Sequence, residues 1–338
     1  MKELRVIFFC IINLGCSYIL PAQAQPQSFF DPDIKLDTIN YGNGSVYIGG
    51  VRDRKLHGKG ILFSPFGDTL YIGKFQFGRK EGQGKYFFKN GNTYAGEWQR
   101  NHMHGKGKMV FLSGDVYDGE WVHDRRHGTG AYYYADGSVY KGGFKEGIID
   151  GKGQLVRPDL SYVGDWQNGL KHGEGYQVIT GPTQVEEYRG NFVRGKYHGE
   201  GYWKHEKDAI ITEYQGNWHE GTRVGEGTYT VGTRVMKGNW NENEATGHGT
   251  CTTEEGVYEG EFRRGFFHGH GVMKYTSGDI YEGEWVRGNH QGQGKMTYVN
   301  GQLYEGQWYM DQKNGAGTLR TANGNVITGT FRDGKRVN

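Results

Sequence analysis

Short runs in which ring-bearing residues alternate with polar ones, each run closed by Gly beside Asn, Asp or Ser, make up most of this chain; Tyr94, Ala95, Gly96, Glu97, Trp98 is one such run. A period of two marks half-buried β-strands, and no segment sustains the 3.6-residue period of an amphipathic helix. The punctuation Lys89, Asn90, Gly91 or Ala135, Asp136, Gly137 is that of hairpin turns. Parity then sets the register. A three-residue loop with Gly91 left-handed places Phe88 opposite Asn92, Tyr86 opposite Tyr94, Gly84 opposite Gly96 and Gly82 opposite Trp98. Rings and glycines then share one face, whereas a two-residue loop there would slip the pairing by one and mix the faces. Where the spacing shortens, Gly232 and Thr233 form a two-residue turn that keeps Tyr229 opposite Met236. Where it lengthens, the hairpins turn near Gly181 to Gln184 and near Lys207 to Ile210.

The hairpins are copies of one another. The pattern Tyr, x, Gly, x, aromatic, then Gly, then His and Gly, x, Gly starts at Tyr47, Tyr71, Tyr94, Tyr117, Tyr140, Tyr162, Tyr188, Tyr214, Met236, Tyr258, Tyr281 and Tyr304, with a partial copy at Ile327. A unit of about 23 residues repeated this often is the mark of a repeat architecture. The cleanest units, YAGEWQRNHMHGKGKMVFLSGDV and YEGEWVRGNHQGQGKMTYVNGQL, resemble the MORN (membrane occupation and recognition nexus) repeat family. Residue pattern and resemblance agree on an all-β fold, an elongated single-layer antiparallel ribbon of about 12 stacked β-hairpins, a MORN-repeat solenoid. At about 4.8 Å per strand each hairpin advances roughly 10 Å, and the ribbon would reach on the order of 120 Å. The expected organisation is a signal peptide over 1–24, a linker over 25–36 and the repeat domain over 37–338, opening with a hairpin through Asn43 and Gly44.

Composition gives the glycines their meaning. There are 60 in 338 residues, far above an average near 7%, while proline is scarce and rings are abundant, which excludes collagen and a disordered linker. Glycines of the third slot (Gly96, Gly119, Gly283) and of the Gly-x-Gly pair (Gly105 and Gly107, Gly292 and Gly294) read as hollows under the rings of Trp98, Trp121 and Trp285. The eighth slot holds Gly, Asn or Asp, as at Gly78, Asn101, Asp124 and Gly147, residues that tolerate positive φ. Arg54 alone breaks that rule.

Charge and cysteine narrow the setting. A formal net charge of +2 gives no long-range pull toward nucleic acid. Lys2 and Arg5, an apolar stretch from Val6 to Leu20, and Ala22 and Ala24 around Gln23 read as a secretory signal cut before Gln25. The product would be secreted, periplasmic or at the cell surface. A rival cut before Cys16, after Leu14 and Gly15, would make a lipoprotein, though Asn13 fits that pattern poorly. After the first cut only Cys251 remains, and no internal disulfide can form.

Candidate chemistry is sparse. His57, His104, His127, His172, His198 and His268 share one repeat slot; copies about 10 Å apart cannot meet on one zinc ion, so hydrogen bonding in the loop is expected and no metal or cofactor. The acids Glu97, Glu120, Glu261 and Glu284 recur at a slot, as structural groups do and a unique acid and base pair does not. The Gly-x-Gly runs lack the following helix of a phosphate loop, and no catalytic residues are expected. On the face away from the rings, Lys106 faces Glu120, Lys108 faces Asp118 and Lys295 faces Glu305. Nearer the turns the same face carries an apolar band, Phe63, Phe87, Val110, Tyr133, Val156 and Val178, backed by Val116 and Val139 and fading at Lys274, Thr297 and Arg320. That band, with Phe266 and Phe267 in an inter-repeat loop, is the candidate interaction surface.

The resemblance implies a non-enzymatic scaffold that binds protein partners or itself, with phospholipid association as a second reading. Polysaccharide binding by the periodic rings is a third, and it requires Trp98, Trp121, Trp285 and Trp308 to be exposed.

Overall fold

The computed structural model describes residues 34–337. The expected signal peptide and most of the linker therefore lie outside the described residues, as do both candidate cleavage sites. Among the described residues all regular structure is β, in a single open antiparallel sheet of 27 strands. The chain divides into two compact units, one running to Phe88 and including Glu97–Asn101, the other comprising Lys89–Gly96 and the chain from His102 onward.

Within each unit the parity argument holds. In the first, Leu36–Asn40 pairs with Val46–Gly50 as the opening hairpin. In the second, Gly105 lies opposite Trp121, Gly107 opposite Gly119 and Met109 opposite Tyr117, and the same alignment returns at Gly292, Gly294 and Met296 against Trp308, Gly306 and Tyr304. Three-residue loops close these pairs: Gly114 at φ 94 lets Phe111 N–H donate to the Asp115 carbonyl at 2.9 Å. Gly232 and Thr233 hold Tyr229 opposite Met236. The long units gain length in their strands, since Lys207 still faces Ile210 across a two-residue turn of Asp208 and Ala209.

The opposite ends of the strands depart from expectation. Hairpin joins hairpin through two-residue turns in which both central residues have positive φ, such as His123 (46°) with Asp124 (67°) and Arg287 (52°) with Gly288 (87°), the I′ geometry that matches strand twist. The eighth slot was legible, and Arg54 conforms at φ 60. The seventh was not, because Phe77, Arg100 and Met310 occupy it at φ 47 to 49.

Within each unit the core is a file of rings on one face. Tyr47, Tyr71, Tyr94, Tyr117, Tyr140 and their counterparts are 0–1% exposed. Tyr117 lies between Trp121 of its own repeat, at 5.2 Å, and Phe144 of the next, at 5.0 Å, both nearly perpendicular; Tyr281 lies in the same way between Trp285 and Trp308. Such edge-to-face pairs add roughly 0.5–1.5 kcal/mol beyond burial. The polar tips are satisfied: Tyr117 Oη donates to the Glu120 carbonyl (2.9 Å) and Trp121 Nε1 to that of Gly107 (2.9 Å).

Two glycine roles need correction. The third-slot glycine and the second of the Gly-x-Gly pair clear space for the tyrosine, not the tryptophan: a Cβ on Gly130 would come 2.5 Å from Tyr117 Oη. The first glycine of the pair is a bulge residue. Register breaks between Gly119, opposite Gly130, and Glu120, opposite His127, and Gly128 turns through φ 57 where a β-bulge demands it.

Candidate functional site

The ring face is closed. Trp98, Trp121, Trp285 and Trp308 are 2–5% exposed, so the expected stacking of sugars on those rings has no surface to use. Trp121, Trp285 and Trp308 each already meet the tyrosine of their own repeat and that of the preceding one. Phe267, expected in an exposed loop, also belongs to this face: its ring stacks on Tyr258 at 3.9 Å and meets Phe262 and Trp285. Phe266, one residue earlier and so on the other face, is 54% exposed. Cys251 likewise sits on the ring face, fully buried between Met236 and Tyr258 in register, and burial pushes its thiol pKa up, away from the reactive thiolate.

A variable slot lies between the rings. Lys80, Arg126, Lys171, Arg223 and Lys313 occupy it as cations over tyrosine or tryptophan faces, Lys80 Nζ at 4.1 Å from the Trp98 centroid. His290 takes the same place fully inserted, stacked on Tyr281 at 3.6 Å, with Tyr275 Oη 2.9 Å from Nε2 and Asp311 Oδ1 3.5 Å from Nδ1. Burial depresses its pKa to about 4, with Asp311 opposing.

The recurrent acid is a structural clamp. Glu120 accepts hydrogen bonds from the Thr129 N–H (3.1 Å) and Thr129 Oγ1 (2.7 Å) across the bulge, and these bonds lower its pKa. Glu284 does the same for Gln293 N–H at 2.9 Å, and the amide oxygen of Gln307 for Ala316 N–H at 3.0 Å. A neutral amide serves as well as a carboxylate, as a structural position allows. The slot histidines do not form the expected loop hydrogen bonds through Nδ1: that atom is buried without a hydrogen-bond partner in His57, His104 and His198, and in His127 it lies 3.9 Å from Glu146 Oε1. Their rings pack instead on the seventh-slot residue of the next turn, His57 on Phe77, His104 on His123 and His198 on His219. Among the described residues no three His, Cys, Asp or Glu side chains gather around a common point, and no helix is long and apolar enough to cross a membrane.

The opposite face holds the candidate band. In the second unit Val110, Val116, Tyr133, Val139, Val156, Ser161 and Val178 pair directly, each with the next, across seven successive strands. Val110, Tyr133 and Val156 are 39–45% exposed, and Val178 is half-buried. Phe63 and Phe87, half-buried, belong to the first unit. Beyond Val178 the row passes through Glu187, Lys204 and Glu213. It does not then fade as expected but alternates, Val257 with Lys274, Ile280 with Thr297 and Leu303 with Arg320. Lys106 and Glu120, Lys108 and Asp118, and Lys295 and Glu305 are register partners as expected.

The profile of the MORN repeat matches eleven segments of the chain: 71–93, 94–116, 117–139, 140–161, 162–178, 188–204, 214–230, 237–256, 258–280, 281–303 and 304–326. Ten of these begin at a tyrosine that opens the sequence pattern, and the hairpin from Tyr47 and the half copy at Ile327 flank them. No curated protein matches the chain. With the repeat profile covering well over half of its length, and the ring file and paired glycines recurring in each copy, the chain belongs to the MORN repeat family.

Proposed function

We propose that this protein is an exported, non-enzymatic scaffold that holds a protein partner against the face opposite its rings. The observation that carries the reading is the row from Val110 to Val178, in register over seven strands, apolar at every position but Ser161 and left half-exposed. Aliphatic side chains aligned on a face otherwise rich in charge mark an interaction surface, and MORN repeats commonly serve protein or membrane contact. The test is an affinity isolation from the native cell envelope with the wild-type chain and a Val110→Lys/Val156→Lys variant. A partner retained by the first and lost by the second, with both equally folded, is the expected result. No reproducible partner, together with a monomer in light scattering, removes the reading.

The loop tips favour a second reading, contact with a lipid surface: Phe66, Leu112 and Val299 are 90, 76 and 71% exposed. With a net charge of +2 such contact would depend on apolar insertion more than on anionic lipid. Flotation with neutral vesicles, lost on Leu112→Ser/Val299→Ser, is its signature.

A further inference from the structure

We propose a second, chemically distinct site on the same face of the second unit: a polar trough that binds a linear, uncharged β-linked glycan. The trough is an open groove of about 1140 Å³ over a floor that includes Gly190, Gly201 and Gly216. It lies in the stretch containing the long repeats, with the buried Tyr188 and Tyr214 rings beneath its glycine floor and closed off from it by the sheet.

Its walls repeat one piece of chemistry three times. Glu174 pairs in register with Asn191, Glu200 with Asn217 and Glu226 with Asn239. Each station combines an acceptor-only carboxylate with a carboxamide that both donates and accepts. Glu174, Glu200 and Glu226 are exposed, and none of them forms an ion pair among the described residues. At the rim of the trough the equivalent position sets Lys152 across from Asp165, and there the two close into an ion pair at 2.9 Å. Sugar hydroxyls need this mixture, because each one donates and accepts at the same time.

Alongside runs a second file, Tyr176, Arg189, Tyr202, Gln215, Thr228 and Lys237, each in register with the next. The two tyrosines stand one hairpin apart. Tyr176 Oη donates to Glu187 at 2.7 Å and Tyr202 Oη to Glu213, which ties down the polar tips of two rings that line the trough. Lys152 is held by Asp165 at 2.9 Å, which leaves Glu174, Glu200 and Glu226 beside Arg189 and Lys237; with both signs present along the trough, a strongly charged polymer of either sign meets like charge on entering.

Periodicity selects the class of glycan. Stations one hairpin apart are spaced by about 10 Å, and a β1→4-linked chain, which turns over at every second sugar, repeats over a similar length. Three stations then correspond to a hexasaccharide, and multivalent contact along one chain favours it over a disaccharide.

The experiment is calorimetric titration of the full chain with hexasaccharides of β1→4-linked glucose and β1→4-linked N-acetylglucosamine. The corresponding disaccharides, an α-linked glucose hexamer and the peptide (Lys-Ser-Gly)3 serve as comparisons. The expected result is binding of at least one β-linked hexamer, insensitive to added salt and at least about ten-fold tighter than its disaccharide. Asn191→Ala/Asn217→Ala/Asn239→Ala should weaken it by at least about ten-fold, since a site built to hydrogen-bond hydroxyls is left unpaired. Gln293→Ala/Gln307→Ala, at the equivalent pair of a C-terminal repeat, should leave binding intact. If the triple asparagine variant does not fold by circular dichroism, Glu174→Gln/Glu200→Gln/Glu226→Gln decides in its place. Failure of both β-linked hexamers to bind, equal affinity for hexamer and disaccharide, or preference for the basic peptide overturns the assignment. The Val110→Lys/Val156→Lys variant should bind glycan normally, which separates this site from the protein-binding row.

Discussion

At the scale of single residues, glycines that look alike in sequence carry different energies. Gly130 faces the ring of Tyr117, itself held between Trp121 and Phe144, so the clash of an added methyl has nowhere to go. We expect Gly130→Ala to lose about 3 kcal/mol by overpacking, whereas Gly221→Ala, with φ 87 and nothing within 4 Å, should lose only about 1 kcal/mol of backbone strain. Urea unfolding of the two variants checks the order; equal losses would refute it. His290 supplies a second residue-scale expectation. Burial holds its imidazole neutral, with a folded pKa of about 4 against an ordinary 6.5. Between those values the unfolded chain binds the proton more readily. Stability should thus be full above pH 6.5 and decline as pH falls toward 4, by a total on the order of 3 kcal/mol. Phe267 fills the same slot over Tyr258, and His290→Phe should flatten the decline in thermal scans across that range.

At the scale of the hairpin, the turns are where sequence and geometry part company. Three-residue loops advertise themselves through Gly91, Gly114 and Gly137, and Gly232 with Thr233 shows how one residue can be dropped without moving Tyr229 from Met236. The I′ turns advertise only their second residue. Arg287 at φ 52 precedes Gly288 at φ 87, and an ordinary side chain accepts the left-handed region because the flanking strands are already paired, Val286 with Asn289. Arg287→Asn should therefore stabilise the fold by up to about 1 kcal/mol, since Asn-Gly is the preferred pair for this turn. A lower unfolding midpoint would show that Arg287 contributes more than backbone shape. The bulge was also missed, because Gly128 and Gly130 are alike in the sequence pattern and part only in the fold, where Gly128 takes φ 57 at the register break and Gly130 lies against Tyr117.

At the scale of the whole molecule, stability comes from nearest neighbours: each tyrosine meets the aromatic residue of its own repeat and that of the next, as in other repeat proteins. The all-β repeat, the parity that collects rings and glycines on one face, the band at Val110, Tyr133, Val156 and Val178, and the structural nature of Glu120 were legible in the sequence. A period of two fixes faces, and a period of about 23 residues fixes the unit. Tertiary structure alone decided that the tryptophans are buried, that Phe267 faces inward while Phe266 does not, and that the slot histidines pack on the next turn. It alone brought Glu174, Glu200 and Glu226 into one trough with Asn191, Asn217 and Asn239. The physical reason is the same in each case. Alternation tells which face a side chain takes, but what shares that face is set by pairing between strands far apart in the chain, and exposure depends on how the next repeat closes over it.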